Sequence, residues 1–150
     1  MNKDENLFLI DTSAWILGLK RNSSNQIKNI LTEILDKDQS ATTGIIILEL
    51  LQGTRTKKEY AEILSDLSAL HYFEVNKEIW KRASQLGFDL RRMGKTIPST
   101  DLLIASIALH YDLTLLHADN HFEQIQEHNN LKTKNLYKIA QLNHLQIMQD

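Results

Sequence analysis

The chain contains no cysteine among its 150 residues, which excludes disulfides, thiolate metal sites and cysteine nucleophiles and accords with a reducing cytoplasm. A single proline and five glycines leave little material for long flexible linkers. No apolar run approaches the roughly 20 residues that cross a bilayer, and no charged-then-apolar leader opens the chain. A soluble, cytoplasmic protein with no membrane partner is therefore expected. Surplus basic charge is missing too: 17 Lys and Arg against 19 Asp and Glu give a net charge of −2. That balance neither announces a nucleic-acid partner nor excludes one, because acidic residues gathered around divalent cations reverse the local sign. Three catalytic signatures are also absent: the Gly-rich phosphate loop, the G-x-S-x-G nucleophile turn and the H-E-x-x-H zinc helix. What remains is ordinary globular usage, 42% hydrophobic and 24% charged, over a length that suits one domain spanning residues 1–150.

Hydrophobic periodicity divides that domain into alternating elements. Leu7-Phe8-Leu9-Ile10 is a short continuous apolar run cut off by Asp11-Thr12-Ser13, the pattern of a strand buried on both faces. Ala14 to Leu19 reads as a short buried helix, and Ile27, Ile30, Leu31, Ile34 and Leu35 form one stripe on a second. Ala41-Thr42-Thr43 reads as a strand broken at Gly44, then a helix from about Ile45 with Gly53 near its C-terminus. Thr56 and Glu59 form a capping box for a helix faced by Tyr60, Ile63, Leu64, Leu67 and Leu70. A third strand at about Tyr72 to Val75 leads to a helix capped by Asn76, with Ile79, Ala83, Leu86 and Leu90 inward. Past the turn at Pro98, Ser99-Thr100-Asp101 opens a helix that is apolar on nearly every face and hence buried. Leu113 to Leu116 gives a fourth strand, His117 to His121 a turn, Phe122 and Ile125 a short helix, and Leu131 to Thr133 a fifth strand. The tail predicts a helical extension within 135–150, packed on the body. Strands alternating with helices predict an α/β fold: a three-layer α/β/α sandwich on a central, mostly parallel sheet of four to five strands.

Four carboxylates stand out against this pattern. Asp11 follows the first strand, Glu49 interrupts an apolar helix, Asp101 opens another, and Asp119 follows the fourth strand. Singly, each has a structural reading: Asp11 caps a helix, Asp101 favours the positive end of a helix dipole, and Asp119-Asn120 suits a turn. Glu49 has the weakest such reading, because Ile46, Ile47, Leu48, Leu50 and Leu51 cover most directions around it. Together they converge, since the ends of parallel strands and the starts of the following helices share one edge of such a sheet. An all-oxygen donor set suits a hard cation, Mg²⁺ or Mn²⁺, and such sites commonly serve phosphoryl chemistry.

The segments that carry these acids are Phe8-Leu9-Ile10-Asp11-Thr12-Ser13, Glu49-Leu50-Leu51-Gln52-Gly53, Leu90-Arg91-Arg92-Met93-Gly94-Lys95-Thr96-Ile97-Pro98-Ser99-Thr100-Asp101-Leu102-Leu103-Ile104-Ala105 and Leu115-Leu116-His117-Ala118-Asp119-Asn120-His121-Phe122. In that order they resemble the PIN-domain ribonucleases and, within them, the VapC toxins of toxin–antitoxin pairs. The resemblance implies a PIN-like fold, with Asp11, Glu49, Asp101 and Asp119 as the metal-binding and catalytic quartet and with Thr12 or Ser13 and Thr100 close by as substrate-binding residues. It implies a divalent-metal-dependent endoribonuclease that cleaves RNA by metal-activated water. It further implies a homodimer and a small cognate VapB-like antitoxin as partner. One departure is plain: many members carry a second Asp immediately before the Phe, where this chain has His121. His117 and His121 are read as contacts to substrate phosphate at the pocket rim rather than as a zinc pair, because His117 falls at a strand end. Arg91, Arg92 and Lys95 are either a solvated helix end or contacts to the RNA backbone. Trp15 and Trp80 are read as core or dimer-interface residues. Two other functions are weighed: a PIN-like scaffold that binds RNA without cutting it, and a receiver-like phosphoacceptor. The latter needs an acceptor Asp after the third strand, where the chain has Glu74-Val75-Asn76.

Overall fold

The opening apolar run forms strand β1 (Phe8–Ile10) at the centre of a five-stranded sheet in a computed structural model that describes residues 6–148. The other strands are β2 (Ser40–Thr42), β3 (His71–Tyr72), β4 (Thr114–His117) and β5 (Thr133–Asn135). They lie in the order β3-β2-β1-β4-β5, and every pairing is parallel. The helices are α1 (Thr12–Leu19), α2 (Asn25–Asp36), α3 (Gly44–Gln52), α4 (Lys57–Ser68), α5 (Lys77–Arg92), α6 (Ser99–Tyr111), α7 (Asn120–Gln126) and α8 (Leu136–Ile147).

Alternation along the two central strands makes the three layers. Successive side chains of a strand point to opposite faces, so Leu9 and Leu115 enter one apolar core with Ile46, Ile79, Leu90, Ile104 and Phe122. Their neighbours Ile10 and Leu116 enter a second core with Ala14, Ile27, Leu31, Ile34 and Leu136. Helices therefore cover both faces of the sheet. As its composition requires, α6 is enclosed, with Leu103 to Ala108 all buried. It lies so close to α5 that a Cβ on Gly87 would meet Leu102 Cδ1 at 2.8 Å.

The chain runs from β1 outward to β2 and β3, then returns to build β4 and β5 on the other side of β1. The strand order thus reverses between β1 and β4, and in open parallel sheets the crevice at such a switch point is where ligands bind. The turn that delivers α6 to this edge is fixed by Gly94, whose φ of 79° ends α5. Its N–H donates to the Arg91 carbonyl, and the Lys95 N–H donates to the Leu90 carbonyl, the paired bonds of a Schellman stop.

Three sequence boundaries need correction. β3 is the pair His71–Tyr72, because the Phe73 N–H gives the last bond to β2, at the Thr42 carbonyl, after which Phe73 and Val75 pack against the core. β5 begins at Thr133, two residues later than the apolar pattern indicates, with Leu131 buried just ahead of it. His117 closes β4 instead of opening the turn. The expected C-terminal helix is present as α8, and Leu136, Ile139 and Ala140 join the second core, while Leu142 and Leu145 are exposed. Residues 1–5, 149 and 150, which belong to the expected single domain and its helical extension, lie outside the described residues. No described helix is long and apolar enough to cross a membrane.

Candidate active site

The four carboxylates meet at the carboxyl edge of the sheet beside the switch point. Asp11 follows β1 and caps α1: its Oδ2 accepts the Ser13 N–H at 2.9 Å and the Ser13 hydroxyl. The same hydroxyl oxygen accepts the Ala118 N–H at 3.0 Å, so Ser13 ties the end of β1 to the end of β4. Glu49 projects from α3, and its Oε1 accepts the Thr12 hydroxyl at 3.3 Å. Asp101 stands in the first turn of α6. Asp119 caps α7, with Oδ1 accepting the His121 N–H at 2.9 Å. Thr100 is half-buried next to Asp101.

Electrostatics confirms the convergence. Burial raises the Asp11 carboxyl above its ordinary range, against the lowering by its bonds to Ser13, and the Asp119 charge raises it further. Glu49 is raised by burial and then by the charge of Asp11. Asp101 is pushed up to about 6, first by burial, with Asp119 and Asp11 adding to it and the His121 hydrogen bond opposing it. Desolvation and like charge both disfavour an ionised carboxylate. Among the described residues no Lys or Arg pairs with any of the four. Only His121 does so, with Nδ1 2.9 Å from Asp101 Oδ2 and 3.2 Å from Asp119 Oδ1. The ligand atoms of Asp101, Asp119 and His121 all lie within 4.8 Å of one another, a spacing that can hold a metal ion.

Other sequence-based site residues fall elsewhere. His117 is fully buried, with its ring 5.1 Å from that of Phe122, so it cannot meet substrate at the rim. Its Nδ1 accepts the Asp119 N–H at 3.2 Å, and burial lowers its pKa to about 4, which keeps the ring neutral. The same burial removes it from any zinc pair with His121. Arg91 and Arg92 end α5 and line a separate cavity of about 620 Å³ with Trp80, Phe88 and Ser99. The Arg92 guanidinium lies 4.5 Å from the centre of the Phe88 ring, and Lys95 pairs with Glu127. Trp80 is 56% exposed and so is not a core residue, whereas Trp15 packs against both cores. The His121 bridge has no local signature in the sequence, because its partner Asp101 lies 20 residues away. The receiver-like alternative fails on topology: β3 is the sheet edge, away from the crevice, and no carboxylate follows it before Glu74.

The family model described as PIN domain matches residues 8–128. The chain belongs to the PIN-domain family. Among curated relatives, this PIN domain is 27% identical over 131 residues to "Ribonuclease VapC11" of Mycobacterium tuberculosis, covering 84% of this chain and 96% of the relative. Among solved structures it resembles VapBC2 from Rickettsia felis bound to a promoter DNA fragment, with a TM-score of 0.71 at 22% identity, covering 86% of this chain and 98% of the other. It likewise resembles DNA-bound VapBC from Salmonella typhimurium, with a TM-score of 0.69 at 19% identity over 87% of this chain and 98% of that one. These likenesses show the PIN-like fold.

Proposed function

We propose that this PIN domain is a Mg²⁺- or Mn²⁺-dependent endoribonuclease, with Asp11, Glu49, Asp101 and Asp119 as its metal-binding and catalytic groups. It would act in the cytoplasm as the toxin of a toxin–antitoxin pair, residues 1–150 working as one unit. The observation that carries this reading is the convergence of four carboxylates at the switch point, three of them raised, with no Lys or Arg among the described residues to balance them. Such a cluster is costly unless a cation joins it, and its oxygen donors suit a hard divalent ion. When bound, that ion supplies an acidified attacking water and charge neutralisation at the scissile phosphate. The protein's part is positional. Ser13 fixes the Asp11 carboxylate, Thr12 steers Glu49, and His117 holds the Asp119 backbone. Relatives named as VapC ribonucleases support RNA as the substrate.

The VapBC assemblies among the similar structures support a small antitoxin as partner. The surface agrees: Ile16, Leu19, Leu48 and Tyr60 are exposed on α1, α3 and α4, the helices around a cavity of about 720 Å³ that Trp15, Leu50 and Leu67 line. Exposed apolar side chains on helices around such a cavity suit a protein partner. Exposed Trp80, Phe88 and Met93 support a homodimer through α5.

Cleavage of RNA in Mg²⁺ by purified protein tests the reading. Asp11→Asn and Asp101→Asn are expected to lower cleavage by about 100-fold or more while circular dichroism shows the fold retained. Wild-type cleavage by either variant would overturn the assignment. Metal-independent RNA binding without any cleavage by the wild type would favour the scaffold instead.

A further inference from the structure

We infer that His121 is a nitrogen ligand within the carboxylate site and that it biases the site toward Mn²⁺ over Mg²⁺. The inference rests on the metal-site reading above and narrows it. Its basis is spacing. Two donors on adjacent positions of an octahedral ion, each at roughly 2.1 Å, sit about 3 Å apart. His121 Nδ1 lies 2.9 Å from one Asp101 oxygen and 3.2 Å from one Asp119 oxygen, so it already stands at that separation from two carboxylate donors, and all three ligand atoms lie within 4.8 Å of one another.

The backbone fixes this arrangement. Asp119 and His121 belong to the first turn of one helix, and the His121 N–H donates to the same Asp119 Oδ1 that its imidazole approaches. Ligand and neighbouring ligand are thereby placed by a single cap, while Asp101 is brought from a different helix. His121 is also the one basic side chain among the described residues that pairs with a carboxylate of the quartet.

The choice of ion follows from donor chemistry. Mg²⁺ demands near-ideal octahedral oxygen coordination and keeps its waters, whereas first-row transition ions take imidazole readily. A site of carboxylates alone offers Mg²⁺ what it prefers. Replacing one oxygen position with a neutral imidazole also removes a negative charge from the donor set. Both changes weaken Mg²⁺ more than Mn²⁺, and Co²⁺ should gain further in the Irving–Williams order.

The test uses the full-length chain and the ions alone. Affinities for Mn²⁺ and Mg²⁺ are measured by calorimetry for wild type, His121→Asp and His121→Ala, and pulsed electron paramagnetic resonance of the Mn²⁺ complex reads nitrogen coupling directly. The wild type is expected to show nitrogen coupling that both variants lose, and the Mn²⁺-to-Mg²⁺ affinity ratio is expected to fall about tenfold in His121→Asp. Mn²⁺ bound with no nitrogen coupling, or an unchanged ratio, would overturn the role of His121. If Asp11→Asn then abolished that binding, the carboxylate site itself would stand. Failure of either ion to bind the wild type would overturn both readings.

Discussion

The centre of the sheet and its carboxyl edge are one residue apart and equally sheltered, yet they contribute to stability with opposite sign. Leu9, Ile10, Leu115 and Leu116 have no exposure at all, and Asp11 has only 4%. For the four apolar side chains, leaving water is the driving force of folding. For Asp11, Glu49 and Asp101 it is a penalty, visible as carboxyls that hold their protons beyond the ordinary range. Burial alone therefore does not distinguish core from site. The response of each position to truncation, to pH and to metal does.

The largest effect is expected at the centre. Leu115→Ala removes a side chain from a closed core and should cost about 2–5 kcal/mol in urea unfolding; a loss below 1 kcal/mol would put the two regions on the same footing.

At the edge the sign should invert. Folded Asp101 retains its proton up to a pH of about 6, against 3.8 for the ordinary group. Its contribution is thus fully present below 3.8 and lost as pH rises through about 6. Unfolding in the presence of a chelator should show Asp101→Asn more stable than wild type at pH 7, by on the order of 1–2 kcal/mol, and the difference should vanish at pH 4. A variant less stable at neutral pH would break the comparison.

The smallest effect is expected where the two regions are joined. Ser13→Ala removes the bond to Asp11 and leaves the Ala118 N–H without its acceptor, a loss of about 1 kcal/mol in the same assay. If Ser13→Ala left metal affinity as well as stability untouched, the tie between the two strand ends would have no role in shaping the site.

Most of the architecture is legible in the sequence because the central strands are buried on both faces and so appear as unbroken apolar runs. Leu7 to Ile10 and Leu113 to Leu116 mark β1 and β4 to within a residue, and Asn76 and Thr56 mark their helices by acting as caps. The edges are less legible for a physical reason: apolar pattern reports burial, whereas a strand is defined by its ladder. Phe73 and Leu131 are sheltered without continuing a strand, and β3 pairs through His71 and Tyr72, both exposed. The acidic quartet is legible because each member breaks an apolar context. His117 and His121 show the limit. Four residues apart in one turn region, they are indistinguishable in sequence, but one is sealed against Phe122 and the other faces Asp101. Only the path of α6, which brings Asp101 to His121 from 20 residues earlier in the chain, decides which is which.

The pairing of β1 with β4 also governs when the site can exist. Phe8 lies opposite Thr114, and Ser13 is tied to Ala118, contacts of long sequence separation that form late and slowly. A chain emerging from the ribosome has β1, β2 and β3 before it has β4, so until β4 and α7 emerge Asp11 and Glu49 have neither Asp119 nor His121 beside them. Assembly of the cluster waits for β4, so the order of the chain sets when the site forms as well as where.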